Sequence, residues 1–247
     1  MIYMCNWKMA LNHKQAIDLV KEYKELSLTD LKLTDSSIVI FPSVVSIKEI
    51  ITEYSPDLKI GAQDCSKTNE YGAYTGETSP QTLSEIGVYA VLCGHSERRG
   101  LLGESDAVVN QKVKNILNNN MRAVLCIGED LETRESGQTN DFLKNQLSRN
   151  LHGIDDLSRV IIAYEPIWAI ASKDFKREST KDEIQDVLDF IKNWLDENFA
   201  SKKVQLLYGG SVNDTNSKEF KSIRNLDGFL IGSASLKPEI LKKIIDS

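Results

Sequence analysis

Eight short apolar runs, each followed by a segment with apolar residues at helical spacing, organise this chain from end to end. The runs are Ile2 to Cys5, Ile38 to Phe41, Ile60 to Ala62, Tyr89 to Cys93, Ala123 to Ile127, Val160 to Ala163, Val204 to Tyr208 and Gly228 to Ile231. Unbroken Val, Ile and Leu suit parallel strands covered by helices better than strands with one wet face. The intervening segments carry helix signals. Thr180 and Glu183 form a capping-box pair ahead of Ile184, Val187, Leu188, Ile191 and Leu195. Ser79-Pro80 opens a short helix that Gly87 can close, Pro238 precedes Ile240, Leu241, Ile244 and Ile245, and Gly137 divides the stretch from Asp130 to Leu151 into two helices. Such alternation builds either an open doubly wound sheet or a closed barrel. Eight units without an edge-strand or linker signature favour closure, so the expected fold is α/β, a (β/α)8 barrel forming a single domain over 1–247.

Composition narrows what such a barrel could do. Hydrophobic residues make up 41% and charged residues 27%, enough to bury a large core. The net charge of -6, with no cluster of Lys and Arg, argues against nucleic acid or an anionic membrane as partner. A local positive site for a phosphorylated metabolite stays open. Cys5, Cys65, Cys93 and Cys126 are widely spaced, which reads as reduced thiols in a core. No metal-ligand spacing or dinucleotide fingerprint occurs, so neither metal nor cofactor is expected. Met1 to Cys5 lacks the regions of a signal peptide and no run approaches a membrane span; a cytoplasmic location is expected.

In a barrel of this kind, chemistry sits at the C-terminal ends of the strands. The polar residues there are Asn6 and Lys8 after the first run, His95 after the fourth, Glu165 after the sixth, Ser211 after the seventh, and Gly232-Ser233 after the eighth. Taken singly each has a plain explanation: a turn-forming Asn6, a solvated Lys8, a His95 satisfied by its loop, a Glu165 leaving a strand. The glycine segments Tyr208-Gly209-Gly210-Ser211 and Ile231-Gly232-Ser233 could be tight turns. As a pair after the last two strands, they match the place where barrel backbones cradle phosphate.

Four motifs stand in order at the ends of four strands: Asn6-Trp7-Lys8-Met9, Gly94-His95-Ser96-Glu97-Arg98-Arg99, Ala163-Tyr164-Glu165-Pro166-Ile167-Trp168-Ala169-Ile170 and Tyr208-Gly209-Gly210-Ser211-Val212. They resemble those of the triosephosphate isomerase family over essentially the whole chain. The resemblance implies interconversion of dihydroxyacetone phosphate and D-glyceraldehyde 3-phosphate through an enediolate, in glycolysis and gluconeogenesis. It makes Glu165 the base and His95 the electrophile, with Lys8 and Asn6 as further donors to the developing oxyanion. Ala171, Ser211, Gly232 and Ser233 hold phosphate. The motif from Ala163 to Ile170 also holds the start of a moving lid, which excludes water and suppresses phosphate loss from the intermediate. Glu97 is auxiliary, its partner open among Arg98, Arg99 and Lys8. The loop from Cys65 to Thr78 resembles one that docks into a second subunit, implying a homodimer in which Arg98 supports the interface through Glu77.

The chain departs from the family pattern at three places. Ala171-Ser172-Lys173-Asp174 stands where family lids usually read Gly-Thr-Gly-Lys, Gly232-Ser233 where two glycines are general, and Cys5 where glycine precedes Asn6. Two other readings share parts of the evidence. An isomerase of a larger sugar phosphate would keep the phosphate loops without the set of Asn6, Lys8, His95 and Glu165, and a barrel that only binds would have lost turnover.

Overall fold

The eight apolar runs become eight parallel strands, and the first pairs with the last. The computed structural model describes residues 1–26, 28, 37–55, 57–170, 177–199 and 204–247. In chain order its elements are β1 (Ile2–Asn6), α1 (His13–Glu25), β2 (Ser37–Phe41), α2 (Val44–Tyr54), β3 (Lys59–Ala62), α3 (Pro80–Glu85), β4 (Ala90–Cys93), α4 (Ser96–Leu102), α5 (Asp106–Asn118), β5 (Arg122–Ile127), α6 (Leu131–Glu135), α7 (Thr139–Asn150), β6 (Val160–Tyr164), α8 (Lys181–Asn198), β7 (Gln205–Tyr208), α9 (Ser217–Phe220), β8 (Gly228–Ile231) and α10 (Pro238–Asp246). Neighbouring strands pair in sequence order, and the β1–β8 ladder, with Tyr3 opposite Phe229 and Cys5 opposite Ile231, closes the barrel.

Strand residues alternate between two cores, because successive side chains point to opposite faces. Met4, Val39, Phe41, Ala90, Leu92, Val124, Cys126, Ile161, Ala163, Leu207 and Leu230 fill the barrel interior. Their neighbours, such as Tyr3, Cys5, Ile40, Val91, Leu125, Ile162 and Phe229, face the helices. Gly61 takes an inward place in β3, where a Cβ would fall 2.2 Å from the Phe41 ring. Only a residue without a side chain leaves room for that ring.

The helix signals hold. Thr180 and Glu183 form a reciprocal capping box on α8, which buries Ile184, Val187, Leu188, Ile191 and Leu195, and also Trp194, on the outer core. Each aliphatic side chain so buried contributes about 1.5–3 kcal/mol, against about 1 kcal/mol for a cap, so packing rather than capping holds the helix. Ser79 caps α3, and Gly137, at φ 71°, separates α6 from α7. All four cysteines are free and buried.

Candidate active site

The inward rows of the strands, continued past their last hydrogen bonds, deliver the polar residues of one cleft. Asn6 follows Met4 by two positions and Glu165 follows Ala163 by two; both are buried, at 4% and 2% exposure. Gly209 and Gly232 continue the rows of Leu207 and Leu230 in the same way. His95 arrives by another route: Gly94, in the left-handed region at φ 70°, breaks the alternation at the end of β4 and turns an out-of-step residue into the barrel mouth. The cleft is lined by Asn6, Lys8, His95, Glu165, Ser211, Gly232 and Ser233, together with Ile170, Val212 and Leu230. Of the site residues expected from sequence, Ala171 lies outside the described residues, as does Ser172 of the altered lid. Glu97 stands beside the cleft and reaches it through Lys8.

Lys8 is held on both sides. Its backbone has a left-handed φ of 50°, a conformation costly for a residue with a Cβ. The Asn6 Oδ1 accepts its N–H at 3.0 Å, and the Gln63 amide donates to its carbonyl at 2.7 Å. Its ammonium pairs with Glu97 at 2.7 Å, which selects one of the partners open to Glu97.

The imidazole of His95 is fixed in one tautomer. Its Nδ1 accepts the backbone N–H of Glu97 at 3.2 Å, so that nitrogen bears no proton and the ring N–H is at Nε2, facing the cleft. Nε2 lies 3.3 Å from one Glu165 oxygen, and the other accepts the Ser96 N–H at 3.2 Å. Two glycines make room for Glu165, one beside its side chain and one beside its backbone. A Cβ on Gly209 would come within 2.8 Å of Glu165 Cγ, and one on Gly128 within 1.8 Å of the Glu165 carbonyl oxygen.

On the phosphate side, the Ser211 N–H donates to the Ala169 carbonyl at 2.9 Å, tying the loop after β7 to a 3-10 turn, Ile167–Ala169. Gly232 leads into a second such turn, Ser233–Leu236, with Ser233 exposed. A Cβ on Gly232 would only reach ordinary contact, 3.7 Å from Lys8.

Two residues of the site's surroundings escape sequence reading. Glu129, after β5, is fully buried, and one of its oxygens accepts both the Tyr164 hydroxyl at 3.0 Å and the Trp168 indole N–H at 3.1 Å; the other has no partner among the described residues. Burial outweighs these hydrogen bonds and raises its carboxyl above the ordinary glutamate range. Arg177 stacks on the Trp168 ring at 4.3 Å and grips Glu183 with two nitrogens, at 2.9 and 2.6 Å. The only available signal for Glu129 was its place after a strand. Arg177 had none.

Arg98 is engaged within the chain, by Asp64 at 2.9 Å and Glu104 at 2.6 Å, beside a buried Lys112 that bridges the same two carboxylates.

A closed eight-stranded α/β barrel whose strand ends gather a carboxylate, an imidazole, an ammonium and an amide in one cleft has the layout of a (β/α)8-barrel enzyme. Comparison with known proteins narrows that class. The family model described as triosephosphate isomerase matches residues 1–247. The chain is 39% identical to triosephosphate isomerase of Alkaliphilus oremlandii, covering 98% of this chain and 96% of the relative. It is 38% identical to that of Latilactobacillus sakei, over 94% and 92% of the two chains. Against a protein of Oryza sativa named triosephosphate isomerase, cytosolic, identity is 36%, over 96% and 92%. The chain belongs to the triosephosphate isomerase family, whose members are isomerases interconverting dihydroxyacetone phosphate and D-glyceraldehyde 3-phosphate.

Proposed function

We propose that Glu165 is the base of this isomerisation and that His95, Lys8 and Asn6 stabilise the charge it creates. Glu165 takes a proton from the carbon next to the carbonyl, electrons move onto the carbonyl oxygen, and the proton returns to the neighbouring carbon. A second proton passes between the two substrate oxygens, so no electron acceptor is needed. The carbon acid is weak, and most of the work lies in holding the enediolate oxygen with fixed donors in a site poor in water. The Nε2–H of His95 is aimed for that purpose by the Glu97 amide at its other nitrogen. Nε2 faces Glu165 at 3.3 Å, and a substrate oxygen that accepts its N–H would displace the carboxylate.

The backbone amides of Ser211, Gly232 and Ser233 are read as phosphate donors, with Ala171 completing them from the lid. Glu97 is auxiliary, holding Lys8 while its own amide orients His95. Residues 1–247 are read as one domain, since removing either end would open the β1–β8 seam. A homodimer is favoured by two grooves sharing Glu77 and Arg98, one lined by exposed Tyr74 and Leu102, the other by exposed Met9 and Val44. Among the described residues no helix is long and apolar enough to cross a membrane, and the rice relative is named cytosolic; both fit a cytoplasmic location.

The observation that carries the reading is the buried Glu165 carboxylate 3.3 Å from a ring nitrogen that must carry a proton. Glu165→Ala is expected to lower turnover by at least about 10²-fold with much less change in substrate affinity. Glu165→Asp, which keeps the carboxylate but retracts it, should fall between. Near-normal turnover in folded Glu165→Ala would remove Glu165 as the base.

A further inference from the structure

The hydroxyl of Tyr23 joins the segment carrying Asn6 and Lys8 to the turn that follows β8. Tyr23 lies on the buried face of α1. Its hydroxyl accepts the Trp7 indole N–H at 3.4 Å and donates to the carbonyl of Ser235. The two rings meet edge to face, 5.8 Å apart at 88°. Trp7 stands between Asn6 and Lys8 in the chain. Ser235, fully buried, returns both its N–H and its hydroxyl to the Gly232 carbonyl, at 2.9 and 2.6 Å. Because the Gly232 carbonyl and the Ser233 N–H belong to one planar peptide unit, pinning the first aims the second. The Cys5 thiol lies beside the same hydroxyl; burial pushes it up to about 12, so it stays a neutral thiol.

We infer that Tyr23 is a positioning residue for the substrate phosphate, acting through Ser235 and Gly232 to aim the Ser233 amide. It rests on the reading of the Gly232 and Ser233 amides as phosphate donors. Phosphate has to be gripped at a fixed distance from Lys8 and His95 for the reacting carbon to meet Glu165, and Tyr23 spans that interval from behind. Its hydroxyl touches neither substrate nor reacting atoms, so its effect should appear in phosphate affinity and not in proton abstraction itself.

Tyr23→Phe removes one oxygen and keeps the buried ring. The expected result is about a fivefold rise in the inhibition constant of inorganic phosphate and a parallel rise in KM for D-glyceraldehyde 3-phosphate, the size of one lost buried hydrogen bond. Deuterium uptake by phosphate-free D-glyceraldehyde should stay within about twofold of the unaltered enzyme, since no phosphate is being positioned. Ser235→Ala, which removes one of the two donors to Gly232, should move the phosphate constant in the same direction, and it decides the matter if Tyr23→Phe does not fold. An unchanged phosphate constant, or an equal loss with and without phosphate on the substrate, would overturn the inference. If inorganic phosphate fails to compete even in the unaltered enzyme, the phosphate-loop reading itself falls and takes this inference with it.

Discussion

At the scale of single residues, the Glu165 side chain occupies a space that Gly209 leaves open. Gly209 directly follows β7, and a methyl group there would sit 2.8 Å from the Glu165 Cγ. Gly209→Ala should therefore displace the carboxylate without removing it. Turnover is expected to fall by about 10²-fold, as for other small misplacements of a reacting group, with KM changed far less. Steady-state kinetics in both directions would check it, and an unchanged turnover would mean that Glu165 does not work from this position. Such residues are legible in sequence to the extent that strand parity reaches them. Asn6 and Glu165 continue an inward row, and the row can be counted from the apolar run alone. Gln63, which holds the Lys8 carbonyl, obeys the same count after Gly61 but carries no chemistry that would single it out. Glu129 looks like any acidic residue entering a helix until its burial is known. The tautomer of His95 depends on one amide direction, which no residue pattern encodes.

At the scale of elements, the strands and the caps were legible because each rests on local signals. A parallel strand is an apolar run and a capping box is two residues three apart, so β1 to β8 and the start of α8 lie where the pattern puts them. Contacts between elements are another matter. Arg177 reaches both Trp168 and Glu183, and the sequence contains nothing that pairs a cation with a particular ring. That cluster gives α8 a pH dependence. Hydrogen bonds from Arg177, supported by the Thr180 amide and by Arg134, outweigh the cost of partial burial and hold the Glu183 carboxyl down at about 2, against an ordinary value of 4.5. A carboxyl depressed in the folded state stabilises above its unfolded pKa, and that contribution is lost as pH falls through the folded one. The stability difference between the unaltered protein and Glu183→Gln should therefore be full at pH 6 and shrink as pH drops from about 4.5 toward 2. Denaturant unfolding at pH 6 and at about 3.5 measures it. A difference that does not vary with pH would show that the pair is too well solvated to matter.

At the scale of the whole molecule, closure of the barrel follows from the number of units, whereas the proposed homodimer rests on a surface that one chain leaves bare. Tyr74 and Leu102 are exposed on the rim of a groove that also contains Glu77 and Arg98. Covering such side chains is the usual reason to find them together. Sedimentation should show a dimer, and Tyr74→Asp, which places a charge in that groove, should shift it toward monomer at equal concentration. A fully active monomer of the unaltered chain would reject the assignment.

The hydrogen bond from the Ser211 amide to the Ala169 carbonyl has a consequence for the timing of the cycle. An amide hydrogen serves one strong acceptor at a time, so on the proposed reading of the Ser211 amide as a phosphate donor the Ala169 carbonyl is its internal rival for that hydrogen. Phosphate bound there would break the bond and unfasten the turn Ile167–Ala169 from the loop after β7, and departure of product would restore it. On that reading part of the intrinsic affinity for phosphate is given up, and in exchange the protein itself would compete to expel what it has made.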